Sequence, residues 1–189
     1  MQKNNYKTYW NVKTLVFMAL LVAMHLVLTR VFVVELGAYR ISVGSVCTIL
    51  AGLWMGPAAG AVCGLTADIL GCFMKGYPID PFITTAAICW GLIPALLKPL
   101  YANRTKKGKT AGIVLSVFGT AVVSSLVLTT MGLVLFEGYN FYTIIPGRLV
   151  QFVVLIPIYS VLTCLLYFSP LTSLVVGTVT PAVLKKKAV

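Results

Sequence analysis

Acidic side chains are what this chain has least of: four Asp and Glu stand against fifteen Lys and Arg, with a single His. No two carboxylates share a helix where they could work as general acid and base. The lone His25 gives no Ser-His-acid arrangement, and the ligands for a metal site are lacking. Charge of either sign is rare, at 10% of residues, where a soluble domain carries about a quarter. A soluble domain is thereby excluded. Five cysteines (Cys47, Cys63, Cys72, Cys89 and Cys164) fall inside apolar segments without a CxxC pair. They read as small packing residues rather than a disulfide framework. The short alternating strands of a transmembrane barrel are missing too.

What is present is apolar length. The chain is 59% hydrophobic over 189 residues, with a mean hydropathy of +0.97. Its continuous apolar runs predict an all-α membrane protein, a compact bundle of six transmembrane helices in a single integral domain over 1–189. The expected spans are about 14–34, 41–55, 57–73, 82–101, 111–136 and 144–167. The first run is too long for a signal-peptide core and has no persuasive cleavage site, so it is expected to be retained. The second is short for a full crossing.

The net charge of +11 is not spread evenly. Lys3, Lys7, Lys13, Lys98, Arg104, Lys106, Lys107, Lys109, Lys185, Lys186 and Lys187 lie in three segments that contain no acid. The positive-inside rule puts those segments, and both termini, in the cytoplasm. The other bases, Arg30, Arg40, Lys75 and Arg148, share the remaining segments with Glu35, Asp68, Asp80 and Glu137. Basic clusters beside membrane spans favour anionic headgroups, and nucleic acid is not needed to explain them. Gly108-Lys109-Thr110 superficially resembles a phosphate-binding loop, but the glycine required five residues earlier is Asn103.

Gly56, Gly60, Gly64, Asp68 and Cys72 recur every four residues. On a helix this spacing makes a stripe of small side chains leading to a carboxylate at membrane depth. Gly56-Pro57 reads as a tight turn with proline opening the next helix. Ala19 and Ala23 form an AxxxA pair, either an intramolecular packing face or a docking face for another subunit. His25 reads as an interhelical hydrogen-bonding residue before a ligand. The expected outer half gathers Arg30, Glu35, Tyr39, Arg40, Asp68, Tyr77, Asp80, Trp90, Glu137, Tyr139, Tyr142, Arg148 and Gln151. Arginines suit carboxylates, Asp68 suits the edge of an aminopyrimidine, and the aromatics supply flat walls. The pattern describes a pocket for a flat heteroaromatic ligand with an anionic tail. Mutual neutralisation of Asp68 and Arg148 inside the bundle is the competing reading.

In order along the chain, Ala19/Ala23, Arg40-Ile41-Ser42, Gly52, Gly56-Pro57, Gly60, Ala67-Asp68-Ile69-Leu70-Gly71 and Arg148 resemble the S components of energy-coupling factor (ECF) vitamin transporters, folate family. The likeness covers about 12–167. One segment departs: Pro78-Ile79-Asp80-Pro81-Phe82-Ile83-Thr84 stands where the family shows a Pro-Gly-Phe-Thr-like start to the fourth helix. The resemblance implies a non-catalytic subunit of the bacterial cytoplasmic membrane that binds a vitamin from outside, folate first, with no cofactor. It implies docking through Ala19 and Ala23 onto a transmembrane coupling subunit driven by two ATPase subunits. It also implies a substrate set of Arg30, Tyr39, Arg40, Asp68, Tyr77, Phe82, Trp90, Tyr142, Arg148 and Gln151. An S component for another vitamin or precursor stays open, as do a standalone secondary transporter using Asp68 and a structural membrane protein that binds nothing.

Overall fold

The computed structural model describes residues 10–36 and 39–179, and the side chains of all of these but 34–36, 39–40 and 178–179. The terminal lysines Lys3, Lys7 and Lys185–Lys187 lie outside the described residues, and with them the expected placement of both termini. The chain runs α1 (Val12–Arg30), β1 (Val34–Leu36), β2 (Tyr39–Ile41), α2 (Ser45–Met55), α3 (Pro57–Lys75) and α4 (Pro81–Ala102). A long rod follows, made of α5 (Lys106–Ala121), a π-helical segment (Val122–Leu128) and α6 (Thr129–Leu135). The chain then continues into α7 (Phe141–Phe168) and α8 (Pro170–Val179). Among the described residues, five helices are long and apolar enough to cross a membrane: α1, α3, α4, the Lys106–Leu135 rod and α7.

The first two apolar runs differ from expectation. α1 stops at Arg30, not near residue 34, because the β-branched and aromatic run Val31, Phe32, Val33 and Val34 favours extended backbone. It enters a two-stranded antiparallel hairpin in which Glu35 faces Arg40 and Leu36 faces Tyr39. α2 begins at Ser45 rather than Ile41, which is strand. Its eleven residues make a rod of only about 16 Å, against a hydrocarbon core of about 30 Å. The shortfall is tolerated because α2 does not face lipid. Ile49, Ala51 and Leu53 are wholly buried, and every residue from Val46 to Leu53 is inside the bundle. Non-helical backbone at membrane depth is admissible where protein surrounds it.

Three helix backbones meet at glycine. A Cβ on Gly52 of α2 would run into the carbonyl oxygen of Gly91 on α4, and one on Gly60 of α3 would sit 2.5 Å from the same oxygen. Gly64 abuts the Ala87 carbonyl in the same way. The stripe of small residues therefore seats α4 directly on α3. Gly56, at φ +101°, makes the sharp reversal between α2 and α3, and Pro57 opens α3 where its missing N–H costs nothing.

Polar groups lock the ends. Lys98 turns inward and donates from Nζ to the Leu53 carbonyl at 2.6 Å, satisfying one of the orphan acceptors at the C-terminus of α2. Trp54 Nε1 donates to Thr172 Oγ1 at 3.0 Å, tying α8 back against α2. After α7 the chain continues as a further packed helix, α8, against α1, α2 and α7. At the other end Asp80 caps α4 by accepting from the Phe82 N–H at 2.8 Å.

Replacing Gly91 by Leu should lower the thermal midpoint of detergent-purified protein, since overpacking costs about 1–3 kcal/mol. Gly119→Leu, at a position with no atom within 4 Å of a built Cβ, should leave the midpoint unchanged.

Candidate functional site

Close packing of α3 on α4 brings Asp68 and Thr84 together, and Thr84 Oγ1 donates to Asp68 Oδ2 at 2.7 Å. Gly71, three residues further on α3, leaves room for the Arg30 guanidinium, which a Cβ there would strike. The last residue of α1 thus lays its charge across α3 one turn from the carboxylate. Arg30 Nε is buried and has no hydrogen-bond partner among the described residues. His25 Nδ1 and Thr48 Oγ1 share a 2.9 Å hydrogen bond between α1 and α2, which is the interhelical role expected of this His. These groups surround a cavity of about 190 Å³, to which Arg30, Asp68, Ala86, Ala87 and Trp90 contribute.

A second cavity, of about 280 Å³, lies against α7. Arg148 and Gln151 occupy one face of that helix, with Arg148 Nη1 3.5 Å from Gln151 Oε1. Leu155 and Tyr159 continue the face, and Glu137 and Tyr139 contribute from the loop before α7. The two cavities share Ser42, Ser45, Ile83, Trp90 and Thr129 as lining, so they are compartments of one site that meet at the indole. Tyr159 meets Trp90 edge-on, with ring centroids 5.2 Å apart at 87°. Its Oη donates to the Ser42 carbonyl at 2.7 Å. The hydroxyl therefore fixes the phenol ring, and the phenol ring fixes the indole.

The opposite wall has an unusual cause. Ala121, Ser125, Thr129 and Leu133 all line the larger cavity, each four residues from the last. In a plain α-helix such a row drifts by about 40° at each step and would leave the cavity. The π-helical turns of Val122–Leu128 are wider and bring the row back. The threonine hydroxyls take up backbone acceptors five residues behind them: Thr129 Oγ1 donates to the Ser124 carbonyl at 2.7 Å, and Thr130 Oγ1 reaches the Ser125 carbonyl at 3.4 Å.

Of the outer-half residues singled out from sequence, Arg30, Asp68, Trp90, Glu137, Tyr139, Arg148 and Gln151 line the joined cavity. Asp68 and Arg148 line different compartments, and among the described residues Arg30 is the cation that shares the Asp68 compartment. Tyr77, Phe82 and Tyr142 lie outside both compartments. Tyr77 is on the exposed loop after α3, Phe82 packs on Phe136 at 5.9 Å, and Tyr142 is 84% exposed. Tyr39 and Arg40 pair through their backbones in β2, and their side chains lie outside the described residues. Ala19 and Ala23 are exposed on α1, on the side away from its buried Thr14, Met18, Leu21 and Val22. Sequence reasoning missed Tyr159, Phe152, Ser42 and Ser45. Tyr159 was within reach of the helical phase, since Arg148, Gln151, Leu155 and Tyr159 form one buried row on α7. Among the described residues no group of three or more His, Cys, Asp and Glu could hold a metal ion.

Residues 13–167 match the family model for the ECF transporter substrate-specific component. The folate transporter FolT of Clostridium novyi (strain NT) is 23% identical over 157 residues, covering 79% of this chain and 85% of that protein. A crystal structure of FolT bound with folic acid is similar with a TM-score of 0.69 at 25% identity, covering 82% of this chain and 92% of that one. The S component of a bacterial ECF transporter shares the fold, with a TM-score of 0.60 at 23% identity over 82% of this chain and 93% of that one.

Tyr159→Phe should reduce the unfolding free energy by about 1 kcal/mol, the net worth of one buried hydrogen bond, when unfolding is followed by tryptophan fluorescence. Tyr142→Phe, in a ring that is 84% exposed, should have no such effect.

Proposed function

The chain belongs to the family of ECF transporter substrate-specific components, and from that membership we propose that it captures folate for import. The observation that carries this reading is the two-compartment cavity, lined by Asp68, Arg30 and Trp90 in one part and by Arg148, Gln151 and Glu137 in the other. The Asp68 compartment suits the flat heteroaromatic head. Asp68, held by Thr84, accepts from an amino-substituted ring edge. Arg30, whose Nε is buried, supplies donors to ring oxygen, and the Trp90 face stacks on the ring. Arg148 and Gln151 suit the carboxylate tail, for which a guanidinium offers two parallel donors. Support for folate over another vitamin comes from the folate transporter of Clostridium novyi and the folic acid-bound FolT structure, both of which this chain resembles.

In this reading the whole chain is one domain of the bacterial cell membrane, with α2 as a short sixth span and both termini in the cytoplasm. It catalyses no reaction. A transmembrane coupling subunit and two ATPase subunits supply the energy, and the exposed Ala19 and Ala23 face of α1 is where the coupling subunit docks. Small residues there allow close backbone approach in lipid. Arg40, Tyr39, Tyr77, Phe82 and Tyr142 remain part of the proposed substrate set, as groups that meet the ligand from the hairpin, the loop after α3 and the first turns of α4 and α7.

Calorimetric titration of detergent-purified protein with folate tests the ligand. Tight binding is expected, weakened about tenfold or more in both Asp68→Asn and Arg148→Ala, as loss of a charge-assisted hydrogen bond requires. No heat with folate, and heat with another vitamin, would replace the ligand and keep the class. Silence with every vitamin would favour a secondary carrier or a structural protein. Ala19→Trp with Ala23→Trp should leave folate affinity intact and abolish folate uptake in cells that also express the coupling and ATPase subunits.

A further inference from the structure

A third cavity, of about 310 Å³, shares no lining residue with the two site compartments. It lies between the C-terminal end of α4 and the N-terminal end of α5. It is also remote from the Ala19 and Ala23 face, because α1 and α5 do not touch. Its floor is the ring of Tyr101 over Gly112, where a Cβ would strike the phenol, continued by Gly108. Its walls are Leu97, Leu100 and Leu115, and the outer two are turned to the bilayer, with Leu100 72% and Leu115 71% exposed. Ser116 adds no polarity, since its hydroxyl donates back to the Ile113 carbonyl at 2.8 Å. The groove runs about 12 Å along α5, from Gly108 to Ser116.

The mouth of this apolar groove is positive. Arg104 lines it at the chain reversal, and Lys106, Lys107 and Lys109 occupy the first turn of α5. No Asp or Glu occurs in the sequence between Asp80 and Glu137, so the stretch that carries these four bases has no acid of its own. A water-soluble anion would satisfy the bases and leave the leucine walls uncovered. A zwitterionic lipid would fill the groove without matching its charge. We propose that the α4–α5 groove is a binding site for one anionic glycerophospholipid, its acyl chain along Leu97, Leu100 and Leu115 and its phosphate on Arg104. The bases attract an anionic headgroup, and the apolar walls add the specificity for an acylated ligand. The inference requires only that the chain is embedded in a membrane, and it stands or falls independently of the vitamin.

Native mass spectrometry of the full chain, released from micelles containing either palmitoyl-oleoyl phosphatidylglycerol or the matching phosphatidylcholine, tests the proposal. Phosphatidylglycerol should be retained preferentially as a single adduct. The double variant Arg104→Gln and Lys109→Gln should weaken that retention about tenfold. Leu100→Ala with Leu115→Ala, which keeps every charge, should weaken it as well. Neutralising Lys185, Lys186 and Lys187 to Gln should leave it unchanged. Equal retention of the two lipids would overturn the site. So would equal loss in the C-terminal control, which marks diffuse attraction, or displacement of the lipid by glycerol phosphate, which marks an anion site without a groove. Arg104→Lys keeps the fold and the charge, and it should retain the lipid better than the double variant; parity between them would also count against the proposal.

Discussion

Direct contact between the backbones of α2, α3 and α4 is the constraint on which the rest of this molecule depends. Lipid tails are as apolar as leucine, so helices in a membrane gain little from hiding apolar surface and must gain from close packing. Gly52, Gly60 and Gly91 supply that closeness at one crossing, and Gly64 against Ala87 extends it by a turn. Asp68 lies one turn beyond Gly64, and Thr84 three residues before Ala87. Their 2.7 Å hydrogen bond is thus a product of the glycine seam. If the two helices stood further apart by the width of a side chain, the carboxylate would lose its protein donor at a depth where that is costly.

Legibility followed periodicity. The glycine row, the turn at Gly56-Pro57 and the carboxylate at the end of the stripe were readable because each rests on helical spacing or backbone geometry. Arg148 and Gln151 were readable as strongly polar residues on a mostly apolar helix, and Trp90 as the tryptophan of α4. Tyr77 and Tyr142 were chosen by residue type and expected side of the membrane, without helical phase to aim them, and Phe82 came with the resemblance alone; none of the three lines the two compartments. The early end of α1 was written in the β-branched run after Arg30, yet an apolar run reads the same in hydropathy whether it is helix or strand. The π-helical turns leave no mark in composition, because they differ from α-helix only in which carbonyl each N–H reaches.

The shortness of α2 and the presence of a hairpin at its head belong together. A span exposed to lipid must match the hydrocarbon thickness, but one enclosed by its neighbours need only satisfy its own polar ends. Lys98 does this at the C-terminus of α2, and the Ser42 carbonyl is taken by Tyr159 near the other end. The freedom that enclosure gives to α2 leaves room above it for the cavity, whose floor and wall include Ser42 and Ser45 from the approach to that helix.

The π-helical segment uncouples chain length from the direction of the wall it builds. Wound as plain α-helix at the same length, Val122–Leu128 would turn Thr129 about 80° away from the direction of Ala121. Wound as α-helix with one residue fewer, it would return Thr129 and Leu133 to within about 20° of that direction. The wider turns thus absorb one residue's worth of chain. A single codon gained or lost there changes the length of the rod and leaves the cavity wall beyond it in place.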